Sequence, residues 1–242
     1  MIHNSFIFLE KISTKKEQNI WKQNIHSWNS FIKKDKIKGI SKEKKYQYNR
    51  ILQQAQTHLN NNNLPFFNLP QKEMWRFYNF YKEECCYADI EVDSYGNIIV
   101  IGISDHYNTN FFVKGVNLDN VQNELDKYKI IITFNGGAFD LPKMKKQLKI
   151  QPPPHIDLKP LCVNINLKGG LKEIEKTLNL NRPSNLYGNP VTLWKAFHAS
   201  GDKEYLDLLL EYNREDVENL KHIADIVYQK MCEKVYKQHI ST

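Results

Sequence analysis

The sequence has no long hydrophobic run. Its longest apolar stretches are short, such as residues 98–103 and 130–134, whereas a bilayer-spanning helix needs about 20 apolar residues. The sequence therefore predicts no membrane partner. It also lacks the apolar run and small residues of a signal peptide at its start, and its four cysteines form no CxxC pair. We expect a cytoplasmic protein in a reducing compartment.

Positive charge is concentrated at one end of the chain. Residues 1–84 contain 15 Lys and Arg against 7 Asp and Glu, and residues 85–242 contain 19 against 20. A basic segment beside a neutral one is typical of a module that binds a polyanion next to a module that performs chemistry. Lys, Asn and Ile are frequent throughout, however, as in proteins from AT-rich genomes. Charge alone leaves open a merely solvated lysine surface.

Residues 1–60 predict a small, basic helical domain. Polar and apolar residues alternate at helical spacing over residues 5–58, without a convincing strand. The predicted inward positions are Leu9, Ile12, Ile20, Trp21, Ile25, Trp28, Phe31 and Ile32. Four consecutive Asn and two Leu-Pro pairs then favour turns or extended chain. Residues 61–82 are therefore predicted to be a linker that ends in a short aromatic helix over 71–82.

Residues 83–242 predict an α/β domain. Three strands, over 85–92, 97–104 and 110–113, are short, β-branched and aromatic, and form an antiparallel meander. The elements predicted after them are a helix over 118–128, a strand over 130–134, a helix after Phe139, a loop, a helix over 171–178 and a long helix over 203–237. This order indicates a mixed sheet, with an antiparallel meander plus parallel strands, flanked by helices.

The first candidate site is Tyr87-Ala-Asp89-Ile-Glu91 on the opening strand. Because side chains alternate across a strand, Asp89 and Glu91 project from the same face and their neighbours face the core. Two like charges on one short strand repel each other unless a cation lies between them. An edge strand with a wet polar face has the same pattern, so this pair alone is a weak signal.

The second candidate is the turn that follows the strand over 130–134. Two glycines follow Asn135, and Asp140 begins the next helix. In parallel sheets, ligands bind beyond the carboxyl ends of the strands, which is where this turn places Asn135 and Asp140. Taken alone, Asp140 also fits an ordinary helix start, since a proline follows two residues later.

The third candidate is Glu211-Tyr212-Asn-Arg-Glu-Asp216 on the last helix. Four residues make about one turn, so Tyr212 and Asp216 lie on one face of the helix. Each also fits an amphipathic helix, Tyr212 as a packed ring and Asp216 as a solvated carboxylate.

The order and spacing of the three motifs decide between these interpretations. The sequence resembles the DEDD 3'-5' exonucleases of the ribonuclease H-like superfamily, in the tyrosine-bearing subclass (DEDDy), and is similar to their YprB-type branch. The matching residues are Asp89, Glu91, Asn135, Phe139, Asp140, Tyr212 and Asp216. The resemblance covers residues 85–225 and includes 170–175 and Leu193-Trp194. Val92 replaces the Thr or Ser that often follows the Glu, and His155-Ile-Asp157 offers another carboxylate nearby.

The resemblance implies a two-metal exonuclease. The ligands of two divalent ions, Mg2+ or Mn2+, would be Asp89, Glu91, Asp140 and Asp216. The ions would lie about 3.5–4 Å apart, activate water and stabilise the leaving 3'-oxygen. Tyr212 would orient or help deprotonate the attacking water, and Asn135 would brace the second motif or contact the terminal nucleotide. The partner would be the 3' end of DNA or RNA, cut to nucleoside 5'-monophosphates. Oxygen ligands, with no Cys or His at metal spacing, argue against zinc.

The first 40 residues resemble a degenerate helix-hairpin-helix, a module often joined to this nuclease branch. Trp21, Ile25, Trp28 and Phe31 fall where its second helix and next turn would be. Lys11 and Ser13 replace the hairpin glycines, whose role is to let backbone N–H groups approach a phosphate. Their absence disfavours backbone contact with phosphate and leaves that task to lysine side chains.

Two other functions are compatible with the same residues. A catalytically silent nucleic-acid-binding protein keeps the fold, although silenced relatives usually lose one of the four carboxylates. A structure-specific endonuclease uses the same metal site to cut internally, and a 3'-blocked or circular substrate separates it from an exonuclease. The sequence does not distinguish DNA from RNA, because that choice depends on contacts with the sugar 2' position. It leaves protein partners and oligomeric state open.

Overall fold

The computed structural model describes residues 1–180, 183 and 189–237, and their packing divides the chain into two units. The first unit contains Met1–Phe80 and the described residues from Cys232 onward, and the second unit is Tyr81–Met231. Residues 61–80 of the predicted linker group with the first unit. No helix in the described part of the chain combines the length and apolar composition needed to cross a membrane.

Three α-helices dominate the first unit: α1 (Thr14–Trp21), α2 (Trp28–Lys33) and α3 (Lys42–Asn60). A serine precedes each helix, and its side chain accepts a hydrogen bond from the backbone N–H three residues later. These bonds satisfy donors that the start of a helix leaves without intrahelical partners. All the predicted inward positions are buried except Ile32, which is half-buried. The predicted N-terminal helical region is therefore confirmed.

The aromatic segment after α3 forms 3-10 helices. They cover Leu64–Phe67, Gln71–Phe77 and Lys82–Glu84, whereas a single short helix was predicted over 71–82. Aromatic residues have low α-helix propensity, and Trp75 and Phe77 are buried. Burial of the rings therefore determines this backbone more than helical periodicity does.

The turn before α1 contains Lys11 and Ser13, which the sequence comparison placed at the glycine positions of a hairpin. Lys11 has a φ of 62°, in the left-handed region that favours glycine, and Ser13 has an ordinary φ of −88° and caps α1. The structure describes all of residues 1–13, and the helix that it contains before Ser13 is a 3-10 helix over Ile2–Asn4. Lys11 therefore carries an exposed positive charge at a glycine-like backbone position.

A buried ion pair connects distant parts of the first unit. The Nη2 atom of Arg76 lies 3.0 Å from Oε2 of Glu17, and its Nε atom lies 2.8 Å from Oε2 of Glu73. Oε1 of Glu17 also accepts hydrogen bonds from the Ser5 hydroxyl and the Phe6 backbone N–H. Arg76 and Glu17 are fully buried, so their charges are compensated inside the unit.

The second unit is built on a five-stranded mixed sheet with the order β3-β2-β1-β4-β5. The strands are β1 (Cys85–Val92), β2 (Ile98–Ser104), β3 (Thr109–Val113), β4 (Ile130–Thr133) and β5 (His155–Asp157). The β1–β2 and β2–β3 pairs are antiparallel, and the β1–β4 and β4–β5 pairs are parallel. The predicted meander and mixed sheet are confirmed. The central strand is β1, which carries Asp89 and Glu91.

Helices pack on both faces of this sheet. They are α4 (Val121–Leu125, preceded by a 3-10 helix over Leu118–Asn120), α5 (Asp140–Leu148), α6 (Leu158–Asn164), α7 (Leu171–Thr177), α8 (Pro190–Ser200) and α9 (Lys203–Lys237). Residues of α4 and α5 share one apolar cluster with the sheet, and residues of α8 and α9 share another. The elements β5 and α6 lie where a loop was predicted, because a three-residue strand is too short for a periodic pattern to show.

Candidate metal centre

Three carboxylates from the central strand and the last helix form a compact group. Asp89, Glu91 and Asp216 each offer one carboxylate oxygen, and these atoms all lie within 4.8 Å of one another. Asp216 is buried, and the two strand residues are half-buried. Like charges this close repel one another, and a cation between them offsets the repulsion. This set, called the carboxylate group below, contains three of the four predicted metal ligands.

Asp140, the fourth predicted ligand, contacts the backbone of β1. The strand β1 pairs with β4 only over Cys85–Tyr87, and beyond that pairing the Ile90 N–H donates to Oδ1 of Asp140 at 3.3 Å. Burial raises the pKa of Asp140 to about 6, and the carboxylate of Asp157 adds to the shift. Asp140 is therefore held against β1 between Asp89 and Glu91 but is not one of the three clustered carboxylates.

The turn that contains Asn135 is held by Asp157. The Asn135 N–H donates to Oδ1 of Asp157 at 2.8 Å, and the Gly137 N–H donates to Oδ2 at 3.1 Å. Asn135 has a left-handed φ of 66°, a conformation that Asn tolerates better than most residues. The additional carboxylate of the sequence thus shapes the turn that precedes Asp140, and the Asn135 side chain is half-buried there.

His155 lies next to this turn in a neutral form. Its Nε2 atom is 2.8 Å from Oγ1 of Thr133, which in turn accepts a hydrogen bond from the Gly136 N–H. Burial lowers the pKa of His155 to about 4. At neutral pH the ring is therefore a hydrogen-bonding group without charge.

A cavity of about 600 Å³ opens at the carboxylate group. Its lining residues are Asp89, Phe134, Gly170, Leu171, Lys172, Glu173, Lys176 and Asp216. Lys172 of α7 donates a hydrogen bond to the Tyr212 hydroxyl, and its Nζ atom lies 4.4 Å from the centre of the Tyr212 ring. Tyr212, one turn before Asp216 on α9, is thus connected to the cavity through a cation.

In the described structure, two side chains that donate hydrogen bonds to Tyr212 and Asp89 are not among the predicted site residues. One is Lys172, and the other is Asn213, whose Nδ2 donates to Oδ2 of Asp89 at 2.9 Å. Both occur within the segments that carry the family resemblance. Their location within these segments is the signal that could have identified them. A sequence pattern does not, however, reveal which residues of such a segment contact a side chain of another element.

The family of the chain follows from comparison with known proteins. A family model described as RNase H superfamily matches residues 86–228, more than half of the chain, and this range contains every predicted site residue. None of the curated proteins matches the chain. Among solved structures, Brucella melitensis NrnC aligns with 67% of this chain and 81% of its own, at 18% identity and a TM-score of 0.45. The chain belongs to the RNase H superfamily.

Proposed function

We propose that this protein is a metal-dependent 3'-5' exonuclease that hydrolyses single-stranded DNA or RNA to nucleoside 5'-monophosphates. The observation that carries the proposal is the carboxylate group, gathered within 4.8 Å in a chain of the RNase H superfamily. The positions of Asp140 and Tyr212 support assignment to the tyrosine-bearing DEDD subclass and its YprB-type branch.

The available donors fit Mg2+ or Mn2+. Both ions prefer oxygen ligands, and the carboxylate group offers carboxylate oxygens only. In this proposal, Asp89, Glu91 and Asp216 hold two ions together with Asp140, whose position against β1 keeps it near the strand ligands. Bound divalent ions supply Lewis-acid stabilisation of charge on the phosphate and lower the pKa of water.

The other proposed roles belong to side chains that line or adjoin the cavity. Tyr212 orients the attacking water through its hydroxyl, and the hydrogen bond from Lys172 holds that hydroxyl in place. Because an ammonium carries three N–H donors, Lys172 is also able to bind a substrate phosphate in the same cavity. Asn135 braces the turn before Asp140 or contacts the terminal nucleotide.

The direction and class of cleavage are tested with labelled oligonucleotides. Linear single-stranded DNA and RNA, labelled at the 5' end, are incubated with the full chain in Mg2+, Mn2+ or EDTA beside 3'-blocked and circular strands. We expect stepwise shortening from the 3' end with metal, and none in EDTA or on the circle. Cleavage of the circle would instead indicate an endonuclease, and binding without cleavage a silent binding protein. Full cleavage in EDTA would contradict the metal requirement.

The ligand assignment is tested with Asp89→Ala. We expect loss of cleavage with the fold intact, because a carboxylate shared by both ions has no substitute. Asp207→Ala, which removes an exposed aspartate on α9 outside the carboxylate group, is the matched control and should retain wild-type cleavage. Circular dichroism and thermal unfolding establish that both variants are folded.

The role of Tyr212 is tested by removal of one oxygen atom. Tyr212→Phe keeps the ring and its packing and removes the hydroxyl proposed to orient the water. We expect a loss of about 10- to 10,000-fold in turnover, a range that brackets the usual effect of general acid–base assistance. Tyr205→Phe, on the same helix and 37% exposed, should leave turnover unchanged. If Tyr212→Phe cleaves at the wild-type rate across about pH 6 to 9, the tyrosine subclass loses its mechanistic basis.

A further inference from the structure

Asn213 lies outside the carboxylate group and donates a hydrogen bond to one of its members. It lies next to Tyr212 on α9, is fully buried, and donates from Nδ2 to Oδ2 of Asp89 at 2.9 Å. The Oδ1 oxygen of the same amide is buried without a hydrogen-bond partner in the described structure. A buried polar atom left unsatisfied costs about 1–3 kcal/mol. An apolar residue would therefore fill this space at lower cost if packing were its only role.

The strand opposite Asp89 provides the space for this amide. Asp89 is paired with Gly102 of β2. A Cβ atom at Gly102 would lie 2.0 Å from Oδ1 of Asn213 and 3.2 Å from Cγ1 of Val217. Glycine weakens a strand interior, and it occurs where another group must approach the backbone closely. The sheet and the helix thus both depart from simple apolar packing at the same point.

We propose that Asn213 is a positioning residue that fixes the Asp89 carboxylate for metal binding, with Gly102 as the recess that admits it. The inference rests on the proposed function. A hydrogen bond to Oδ2 fixes the orientation of the carboxylate and so directs its second oxygen. An amide suits this task because it is a neutral donor, whereas an ammonium at the same place would compete with the metal ion for the negative charge. The same bond connects the helix that carries Asp216 to the strand that carries Glu91.

A second buried amide on α9 distinguishes positioning from packing. Asn219 is also buried and donates from Nδ2 to Oε1 of Glu175 at 3.1 Å. It therefore matches Asn213 in residue type, helix and burial, but its partner is not a member of the carboxylate group. Asn219→Ala should destabilise the protein as Asn213→Ala does, without an effect on metal binding.

The test is a calorimetric titration of the full chain with Mn2+ alone, which measures the dissociation constant of Mn2+. Thermal unfolding establishes whether each variant is folded. We expect Asn213→Ala to weaken Mn2+ binding by about 10- to 100-fold, the usual effect of removing a group that orients a metal ligand. Asn213→Leu, which keeps the volume of the side chain, should give the same loss, and Asn219→Ala should bind Mn2+ like the wild type. Wild-type Mn2+ affinity in a folded Asn213→Ala or Asn213→Leu variant would overturn the positioning role of Asn213 and leave the proposed function intact. No Mn2+ binding by the wild type would overturn the proposed function itself.

A double variant tests the role of Gly102. Gly102→Ala should reduce both stability and Mn2+ affinity, because its Cβ displaces the Asn213 amide. In Gly102→Ala/Asn213→Ala the obstructing amide is absent, so the destabilisation should be less than the sum of the two single effects, while Mn2+ affinity stays low. Recovery of Mn2+ affinity in the double variant would show that Asn213 is dispensable and would overturn its positioning role.

Discussion

In the first unit the carboxylate of Glu17 is buried against a cation, whereas in the second unit three carboxylates are gathered against one another. Arg76 lies 3.0 Å from Glu17, and hydroxyl and backbone donors complete the surroundings of Glu17. In the carboxylate group, the ligand atoms of Asp89, Glu91 and Asp216 lie within 4.8 Å. The side chain that donates to Asp89 from α9, Asn213, is neutral.

The difference separates a charge that maintains the fold from charges that, under the proposed function, bind metal ions. The chain itself compensates a buried acid by pairing it with a guanidinium, and removal of the guanidinium leaves the acid buried without its counter-charge. Clustered acids repel one another, and under the proposed function this repulsion is a conflict between stability and activity that a bound cation relieves. The two regions should therefore respond in opposite ways to neutralising substitutions.

Arg76→Met should cause the largest change, a loss of about 3–5 kcal/mol in the free energy of unfolding, because it leaves Glu17 buried without its guanidinium. Urea unfolding measures this value. Arg50→Met, at an exposed position of α3, should change the free energy by less than about 0.5 kcal/mol. Similar small losses in both variants would show that the buried pair contributes little beyond packing.

His155 is a buried titratable group of a third kind, which stays neutral instead of carrying a charge. Its pKa is lowered to about 4 from 6.5, so between these pH values the unfolded chain binds a proton that the folded chain does not. The contribution of His155 to the free energy of unfolding should fall as pH decreases through this window, by up to about 3 kcal/mol. His155→Gln should remove that fall.

The raised pKa of Asp140 acts in the opposite direction, so the pH profile of the wild type is compared with that of His155→Gln, which retains Asp140. Urea unfolding in EDTA at several pH values between about 7 and 4 gives the two profiles. Parallel profiles would mean that burial of His155 does not suppress its protonation.

Glu91→Gln removes one of three like charges and keeps the shape of the side chain. In EDTA, we expect its free energy of unfolding to equal or slightly exceed that of the wild type. Mn2+ at about 100 times its dissociation constant should stabilise the wild type by about 2.7 kcal/mol and the variant by much less. Glu204→Gln, at an exposed position of α9, is the control. An equal Mn2+ effect in Glu91→Gln would remove Glu91 from the ligand set.

The smallest expected effect concerns the basic first unit. Lys15 and Lys16 are exposed in the first turn of α1. If each contacts a phosphate of a long single strand, the double Lys→Gln variant should reduce the slope of log affinity against log salt by about 1.4. Lys203→Gln, exposed on α9, is a control with an expected slope change near zero. An unchanged slope in the double variant would mean that these lysines are solvated surface residues that do not contact the nucleic acid.

The sequence predicts the fold well where apolar patterns are long. The strands β2 and β4 are short, buried runs rich in β-branched residues, and in β1 polar and apolar residues alternate toward its end. The helix over 203–237 repeats its apolar positions over many turns. These patterns predict the type of each element. The three-residue strand β5 and the short helix α6 do not follow, because tertiary pairing with β4 stabilises β5 more than its own sequence does.

The candidate site was predictable only where alternation and helical spacing place side chains directly. Asp89 and Glu91 were expected to project from one strand face, and the structure brings their carboxylates together with that of Asp216. The hydrogen bond of Asn213 with Asp89 depends on how α9 crosses the sheet and on the space at Gly102. Such long-range geometry leaves no periodic trace in a single sequence.

The carboxylate group draws its members from the first strand and the last helix of the second unit. During synthesis, β1 leaves the ribosome long before α9, and chains are made at about 5–20 residues per second. A partly made chain that exposes Asp89 and Glu91 therefore lacks Asp216, Tyr212 and Asn213. Under the proposed function, hydrolytic activity arises only after the C-terminal helix has docked, so a nascent chain beside its own messenger RNA is not yet a nuclease.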